Sequence, residues 1–228
     1  MQLVRDTNAQ ARAYAFIKEE ILSLRLPPLQ RLHLGELAAS LDLSRTPIRE
    51  ALGRLEQDGL VTRDAGGGFS VRAISLGEIL SFYRVREALE VEAALEAHER
   101  MSAETLEELA AILSQAKTLL EPAQYAEFVL VNRAFHAAIV RAAENVAYDL
   151  VMAPIIDRVR LVGAMLIKLH GPRQQEVYEE NFRILRAFEI GDPELIEEAV
   201  RDHVCKAREH AGRLLSSKLG ALVLNTST

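Results

Sequence analysis

With one cysteine, Cys205, in 228 residues, the chain can make no intrachain disulfide, which suits a reducing compartment. Long apolar runs are also missing: no stretch approaches the roughly 18 residues that a membrane-spanning helix needs. The opening Met1-Gln2-Leu3-Val4-Arg5-Asp6 lacks the apolar core of a signal peptide, so a cytoplasmic protein without membrane contact is expected. No internal repeat or low-complexity tract is present. Net positive charge is lacking too. The formal charge is −6, so the overall basic balance that often marks a nucleic-acid binder is absent. With 49% hydrophobic and 26% charged residues, the chain is an ordinary globular one, long enough for one large core or two modest ones.

The charge is unevenly divided. Residues 1–74 carry ten Lys and Arg against nine Asp and Glu, and residues 75–228 carry seventeen against twenty-four. Any affinity of the first part for DNA must therefore come from locally clustered arginines.

Such a cluster exists. From Leu43 to Val61 the sequence reads as a short helix with an apolar stripe at Ile48, Leu52 and Leu55 and with Arg45 and Arg49 near its start. Ser44 is placed to cap it, Pro47 is tolerated in its first turn and Gly59 stops it. Glu36–Leu41 forms a second short helix just upstream, joined by Asp42-Leu43. Two short helices with a basic start on the second make a helix-turn-helix, whose second helix offers its N-terminal residues to the major groove. An earlier helix, about 9–24, carries Tyr14, Ile17, Ile21 and Leu24 at helical spacing and ends at Pro27-Pro28. Leu60–Arg63 and Phe69–Arg72 read as strands, with Asp64-Ala65-Gly66-Gly67-Gly68 as the turn of a hairpin. From Ser75 onward only helical periodicity appears, in segments near 76–98, 102–119, 123–143, 146–168, 173–190 and 192–218, with the tail 220–228 expected to be poorly ordered. The fold expected is mainly α: a winged helix-turn-helix over 1–74 and an all-helical bundle over 75–219.

The segment around Ser44-Arg45-Thr46-Pro47-Ile48-Arg49-Glu50 resembles the winged helix-turn-helix of GntR-type bacterial transcription regulators. The second half resembles the FCD domain, the effector-binding and dimerisation module of the FadR subgroup, through Tyr83–Glu90, Phe135-His136, Asn181–Leu185 and Gly191-Asp192 through His203. The usual family link after the first helix is Pro-Gly. Here Leu29 stands in place of the glycine, so the turn must avoid a positive φ or be reshaped. The resemblance implies a homodimeric regulator, more often a repressor, that binds a pseudo-palindromic double-stranded operator and responds to a small carboxylate or phosphate metabolite.

Arg45 and Arg49 lie four apart on one helix face, and arginine can take a guanine edge bidentately. By resemblance, Ser44 and Thr46 contact phosphate or base, and Gly66 and Gly67 approach the minor groove. Arg31, Arg54 and Arg63 are candidate phosphate contacts, which position without specifying. The alternative for Arg45 and Arg49 is pairing with Glu50 or Asp42 on a solvated face.

In the bundle, Asn132 and His136, Asn181, and His203 fall on stripes that should otherwise be apolar, which suggests a polar cavity. The resemblance implies a divalent metal held by an Asp or Asn, a His four residues later, and two further His. The spacings here are four, forty-five and twenty-two, but position 181 is Asn where His is expected. Two imidazoles and two amides make a poor zinc set, so a divalent metal is disfavoured and, if bound, would take Asn132, His136 and His203. Positive charge for an anionic effector would then come from Arg86 or Arg160, with an i+4 pair to Glu90 as the bland role for Arg86. The rivals are an enzyme using His136 and His203, and a DNA-bound protein without ligand. No activated serine or cysteine pattern supports the enzyme.

Overall fold

The computed structural model describes residues 2–170 and 173–216, with the side chains of 2–7, 149, 160, 162–170, 214 and 215 outside the description. The chain divides into two compact units, the first made mainly of the residues up to Ser75 and the second mainly of those from Leu76 onward.

The first unit runs α1 (Gln2–Leu22), β1 (Arg31–Leu32), α2 (Leu34–Leu41), α3 (Arg45–Gln57), β2 (Val61–Arg63) and β3 (Phe69–Val71). Its core is made where the apolar stripes meet: Ile17 and Ile21 of α1, Ile48, Leu52 and Leu55 of α3, and Phe69 and Val71 of β3 are all essentially fully buried. Burying each such side chain contributes about 1.5–3 kcal/mol. Ser44 stands at the N-cap of α3 in extended conformation, but its hydroxyl makes no capping bond there. Asp42, in the link, is left-handed with φ of 52°, a conformation Asp tolerates better than most residues.

The three strands pair antiparallel in the order β1-β3-β2. The sequence shows the β2–β3 hairpin, whereas β1 is an addition: Arg31 pairs with Ser70 and Leu32 with Phe69. Two residues are too few for an alternation to register. The turn before β1 differs from expectation. Leu29 itself takes the left-handed conformation, φ 69°, rather than avoiding it. The reason is its hydrogen bonding: the Leu29 N–H donates to Val71 O at 2.8 Å, and the Val71 N–H donates to Gln30 O at 2.9 Å. The sheet edge fixes the turn, and the leucine accepts a strain of about 1–2 kcal/mol.

In the wing turn the Asp64 carboxylate accepts from the Gly68 N–H at 2.8 Å. Gly67 has φ of 78°, a left-handed conformation that favours glycine, while a Cβ at Gly68 would lie 2.6 Å from the Asp64 carboxylate and push that side chain aside.

The second unit is helical: α4 (Leu76–Glu99), α5 (Ala103–Lys117), a 3-10 turn (Pro122–Gln124), α6 (Tyr125–Ala142), α7 (Val146–His170), α8 (Gln174–Ile190) and α9 (Pro193–Leu215). Among the described residues no strand follows Val71. Ala93, Ala94 and Ala97 of α4 are fully buried, and their small side chains let neighbouring helices approach around Leu109, Phe135, Ile184 and Ile196. The Ser102 hydroxyl caps α5 by accepting from the Thr105 N–H at 3.2 Å. Gly191, with φ of 76°, ends α8 in the left-handed conformation. Into this apolar bundle α4, α6, α8 and α9 bring a set of polar side chains. The tail 220–228 lies outside the described residues.

Candidate functional site

The first candidate surface lies on α3. Pro47, Ile48, Ala51, Leu52 and Leu55 face the core, which turns Ser44, Arg45, Thr46, Arg49 and Glu50 outward together. Among the described residues neither Arg45 nor Arg49 has a hydrogen-bond or ion-pair partner, and pairing with Glu50 or Asp42 does not occur. Two unpaired guanidiniums at the exposed start of a helix are free to meet a base edge.

The three arginines read as phosphate contacts are differently placed. Arg31 is 3.2 Å from the Asp64 carboxylate. Arg63 is 3.2 Å from Glu56 and lies over the Phe69 ring. Arg54 stacks over Tyr14 with its guanidinium 4.2 Å from the ring centre. Arg31 and Arg63 thus have intramolecular carboxylates that compete with phosphate, although both remain exposed. Gly66 and Gly67 are exposed at the wing tip, as a close approach to DNA requires.

The second candidate is the polar cluster in the bundle. Arg86, Glu90, Glu180, Asn181 and His203 are each less than a tenth exposed. The Arg86 guanidinium grips Glu90, Nε donating to Oε1 at 2.5 Å and a second nitrogen to Oε2 at 3.3 Å. That same terminal nitrogen is 3.5 Å from His203 Nε2. His203 Nδ1 is 2.9 Å from Glu180 Oε2, and the other Glu180 oxygen accepts from Arg173 at 2.7 Å. His136 Nδ1 is 3.6 Å from Glu90 Oε2, and its ring stacks on that of His203 at 4.8 Å between centres. Asn181 Nδ2 donates to Asn132 Oδ1 at 2.6 Å. Two buried atoms have no partner here, His136 Nε2 and Asn181 Oδ1.

The electrostatics follow from burial and neighbours. Burial works against an ionised Glu90, but Arg86 and then His136 more than compensate and hold its pKa at about 2. For His136 burial prevails over the attraction of Glu90 and pulls the pKa down to about 3, so the ring is neutral near pH 7. Glu180 is buried as well, yet His203 and Arg173 keep it below the usual carboxylate range.

A pH dependence follows. An unfolded histidine takes up a proton at about pH 6.5 whereas folded His136 does not, so stability is complete above that value and falls as the pH drops toward 3. Between pH 7 and pH 5 this one group removes about 2 kcal/mol. Urea unfolding followed by circular dichroism at both values should show that loss in the parent and lose most of it in His136→Gln. An equal loss in both would mean that His136 titrates normally.

The structure brings Arg86, Asn132, His136, Asn181 and His203 together. The Arg160 side chain lies outside the described residues. Sequence reasoning missed Glu90 and Glu180 as members. Glu90 was weighed only as an i+4 partner worth a few tenths of a kcal/mol, which holds for an exposed pair but not for this buried one. Glu180 sits four residues before Ile184 on the buried stripe of α8, a signal that was available. Two carboxylates, Glu90 and Glu180, therefore lie beside the histidines.

The metal set implied by the family resemblance does not fit. Asn132 and Asn181 are bonded to each other, which leaves two imidazoles without the third that the pattern requires. No helix among the described residues is long and apolar enough to cross a membrane.

Comparison with known proteins settles the class. Residues 9–71 match the family described as "Bacterial regulatory proteins, gntR family", and residues 81–205 match the FCD domain. The "Probable D-xylose utilization operon transcriptional repressor" of Paenarthrobacter nicotinovorans is 30% identical over 89% of this chain and 88% of its own. The HTH-type transcriptional repressor RspR of Escherichia coli is 23% identical, with 86% of each chain covered. The solved structure of E. coli McbR/YncC shares the fold, with a TM-score of 0.79 over 90% of this chain and 97% of that one at 22% identity. The Paenarthrobacter and RspR relatives are named as repressors of transcription. A winged helix-turn-helix followed by an FCD bundle is what the chain contains, and it belongs to the GntR family of DNA-binding transcription regulators.

Proposed function

We propose that this regulator is a homodimeric cytoplasmic repressor whose two α3 helices read the half-sites of a pseudo-palindromic operator. The observation that carries this is the pair of exposed guanidiniums, Arg45 and Arg49, left without intramolecular partners at the start of α3. Arginine is the residue best suited to a guanine edge, and a dyad in the protein matches a dyad in the DNA. Ser44 and Thr46 join them at the groove. Arg31, Arg54, Arg63 and the Gly66-Gly67 tip hold the backbone on either side.

The polar cluster is the seat of regulation. A small acid enters between α4, α6, α8 and α9, where Arg86 shares its guanidinium between Glu90 and the ligand carboxylate. Such a ligand changes operator affinity only by preferring one dimer geometry over the other. The Paenarthrobacter relative is named for sugar utilisation, which puts hydroxylated carboxylates first among the acids to screen. Fluorescence anisotropy of a bound operator, run beside thermal unfolding, tests the reading. One acid should both raise the unfolding temperature and change operator affinity at least ten-fold. If no acid in the panel does either, the regulatory part of the proposal fails while the DNA-reading part stands.

A further inference from the structure

Arg54 is held differently from the other two arginines read as phosphate contacts. Arg31 and Arg63 are each bonded to a carboxylate, which takes up N–H donors that a phosphate would need. Arg54 is exposed, and among the described residues its guanidinium has no carboxylate or hydrogen-bond partner. It lies instead over the face of Tyr14 of α1, 4.2 Å from the ring centre. A ring face attracts a cation through its electron density and occupies none of its N–H donors. The charge is oriented without being neutralised.

Tyr14 is itself fixed. Ala13 and Ile17, its neighbours on α1, are fully buried and anchor the backbone that carries it. Its hydroxyl donates to Asp58 Oδ2 at 2.6 Å, so the ring is tied to the C-cap of the same helix that bears Arg54. Lys18, one turn further along α1, brings a second cation within 5.5 Å of the ring centre and donates to the hydroxyl at 3.4 Å. Along α3, Arg54 stands nine residues beyond Arg45, about 14 Å at 1.5 Å per residue, against a major groove about 12 Å wide. That distance matches the phosphates bordering the groove and not the bases that Arg45 and Arg49 would meet.

We propose that Tyr14 is a positioning residue for operator binding, which sets the Arg54 guanidinium, with its donors free, against a phosphate at the border of the groove that Arg45 and Arg49 enter. A long side chain left to swing must give up its rotamer freedom when it meets the phosphate. One already laid on a ring has given up much of that freedom beforehand, so the contact costs less. Tyr14 acts through Arg54 and reads no base, and its effect is therefore the same on every DNA sequence. The proposal rests on α3 being the reading helix.

The test is fluorescence anisotropy of full-length protein over a series of salt concentrations, on a duplex selected by the parent from random sequences and on a scrambled one. Arg54→Ala should weaken binding to both and flatten the slope of log affinity against log salt by about 0.9, the loss of one phosphate contact. Tyr14→Leu should weaken both about five-fold, the worth of one exposed cation–ring contact. Tyr14→Phe keeps the ring and should stay within about two-fold of the parent. In the Arg54→Ala background Tyr14→Leu should cost nothing further, whereas a merely structural tyrosine would cost the same in both backgrounds. Parental affinity in Tyr14→Leu, equal loss in both backgrounds, a parental slope in Arg54→Ala, or a loss in Tyr14→Phe equal to that in Tyr14→Leu would each overturn the proposal. Should Tyr14→Leu fail to fold, Arg54→Lys decides: it keeps the charge without the planar fork, and parental affinity there overturns the proposal too. The reading of α3 fails separately, by an Arg45→Ala/Arg49→Ala variant that keeps the parent's affinity and preference for the selected duplex.

Discussion

A chain ending at Ile74 is expected to bind a two-half-site operator at least 100-fold more weakly than the full-length protein. The reading head has a core of its own. Ile17, Ile21, Ile48, Leu52, Leu55 and Phe69, which form its core, all precede that end, so the shortened chain should fold. What it loses is the second copy. If the C-terminal bundle joins two chains, the second recognition helix meets its half-site as an intramolecular event, a gain of about 10²–10⁴ without any new contact. The dyad of a homodimer supplies the matching symmetry. Anisotropy with both proteins at one fixed salt concentration measures the difference, since phosphate contacts make affinity strongly salt-dependent. A duplex carrying a single half-site is the control, and on it the gap between the two proteins should narrow. Equal affinity for the full operator would mean that the bundle does not pair the heads.

The architecture was largely legible because strong periodicity and strong punctuation coincide. Residues from Leu43 to Gly59 carry apolar stripe, cap position and stop signal in one short run, and α3 spans Arg45–Gln57 within them. The helices of the bundle likewise fall between Ser102, Pro122, Asn145 and Gly191, near which the sequence places the joints. Two features escaped. β1 is too short to show an alternation and exists only because β3 offers an edge. The turn at Leu29 was expected to avoid a positive φ or to be reshaped, and hydrogen bonds to β3 instead hold the leucine itself in the left-handed region, a tertiary constraint that local preference does not contain.

The polar cluster was legible by half. Asn132, His136, Asn181 and His203 stand out because an amide or imidazole on an apolar stripe is conspicuous. Glu90 and Glu180 do not stand out. A glutamate four residues from an arginine is common on exposed helices, and only packing reveals that Arg86 and Glu90 are buried together. Their inclusion changes the chemistry: a set that looked uncharged contains two carboxylates and two guanidiniums, counting Arg173. Charge balance inside a bundle is a property of four helices at once, and no single stripe carries it.

The account rests most on Arg45 and Arg49 as the residues that read the operator. Each should contribute about 1–3 kcal/mol of discrimination, through hydrogen bonds to base edges that alanine cannot make. Their side chains are exposed and unpaired, so removing them should leave the fold intact, which circular dichroism and an unchanged unfolding midpoint would verify. The decisive measurement is the affinity of the double variant Arg45→Ala/Arg49→Ala for an operator selected from random duplexes by the parent, against a scrambled duplex of equal length and salt. The selected site should show two half-sites related by a dyad. On it the variant should bind about 100-fold more weakly than the parent, while binding to the scrambled duplex falls much less. Retention by the variant of both the parent's affinity and its preference for the selected site would contradict the assignment of α3 as the reading helix.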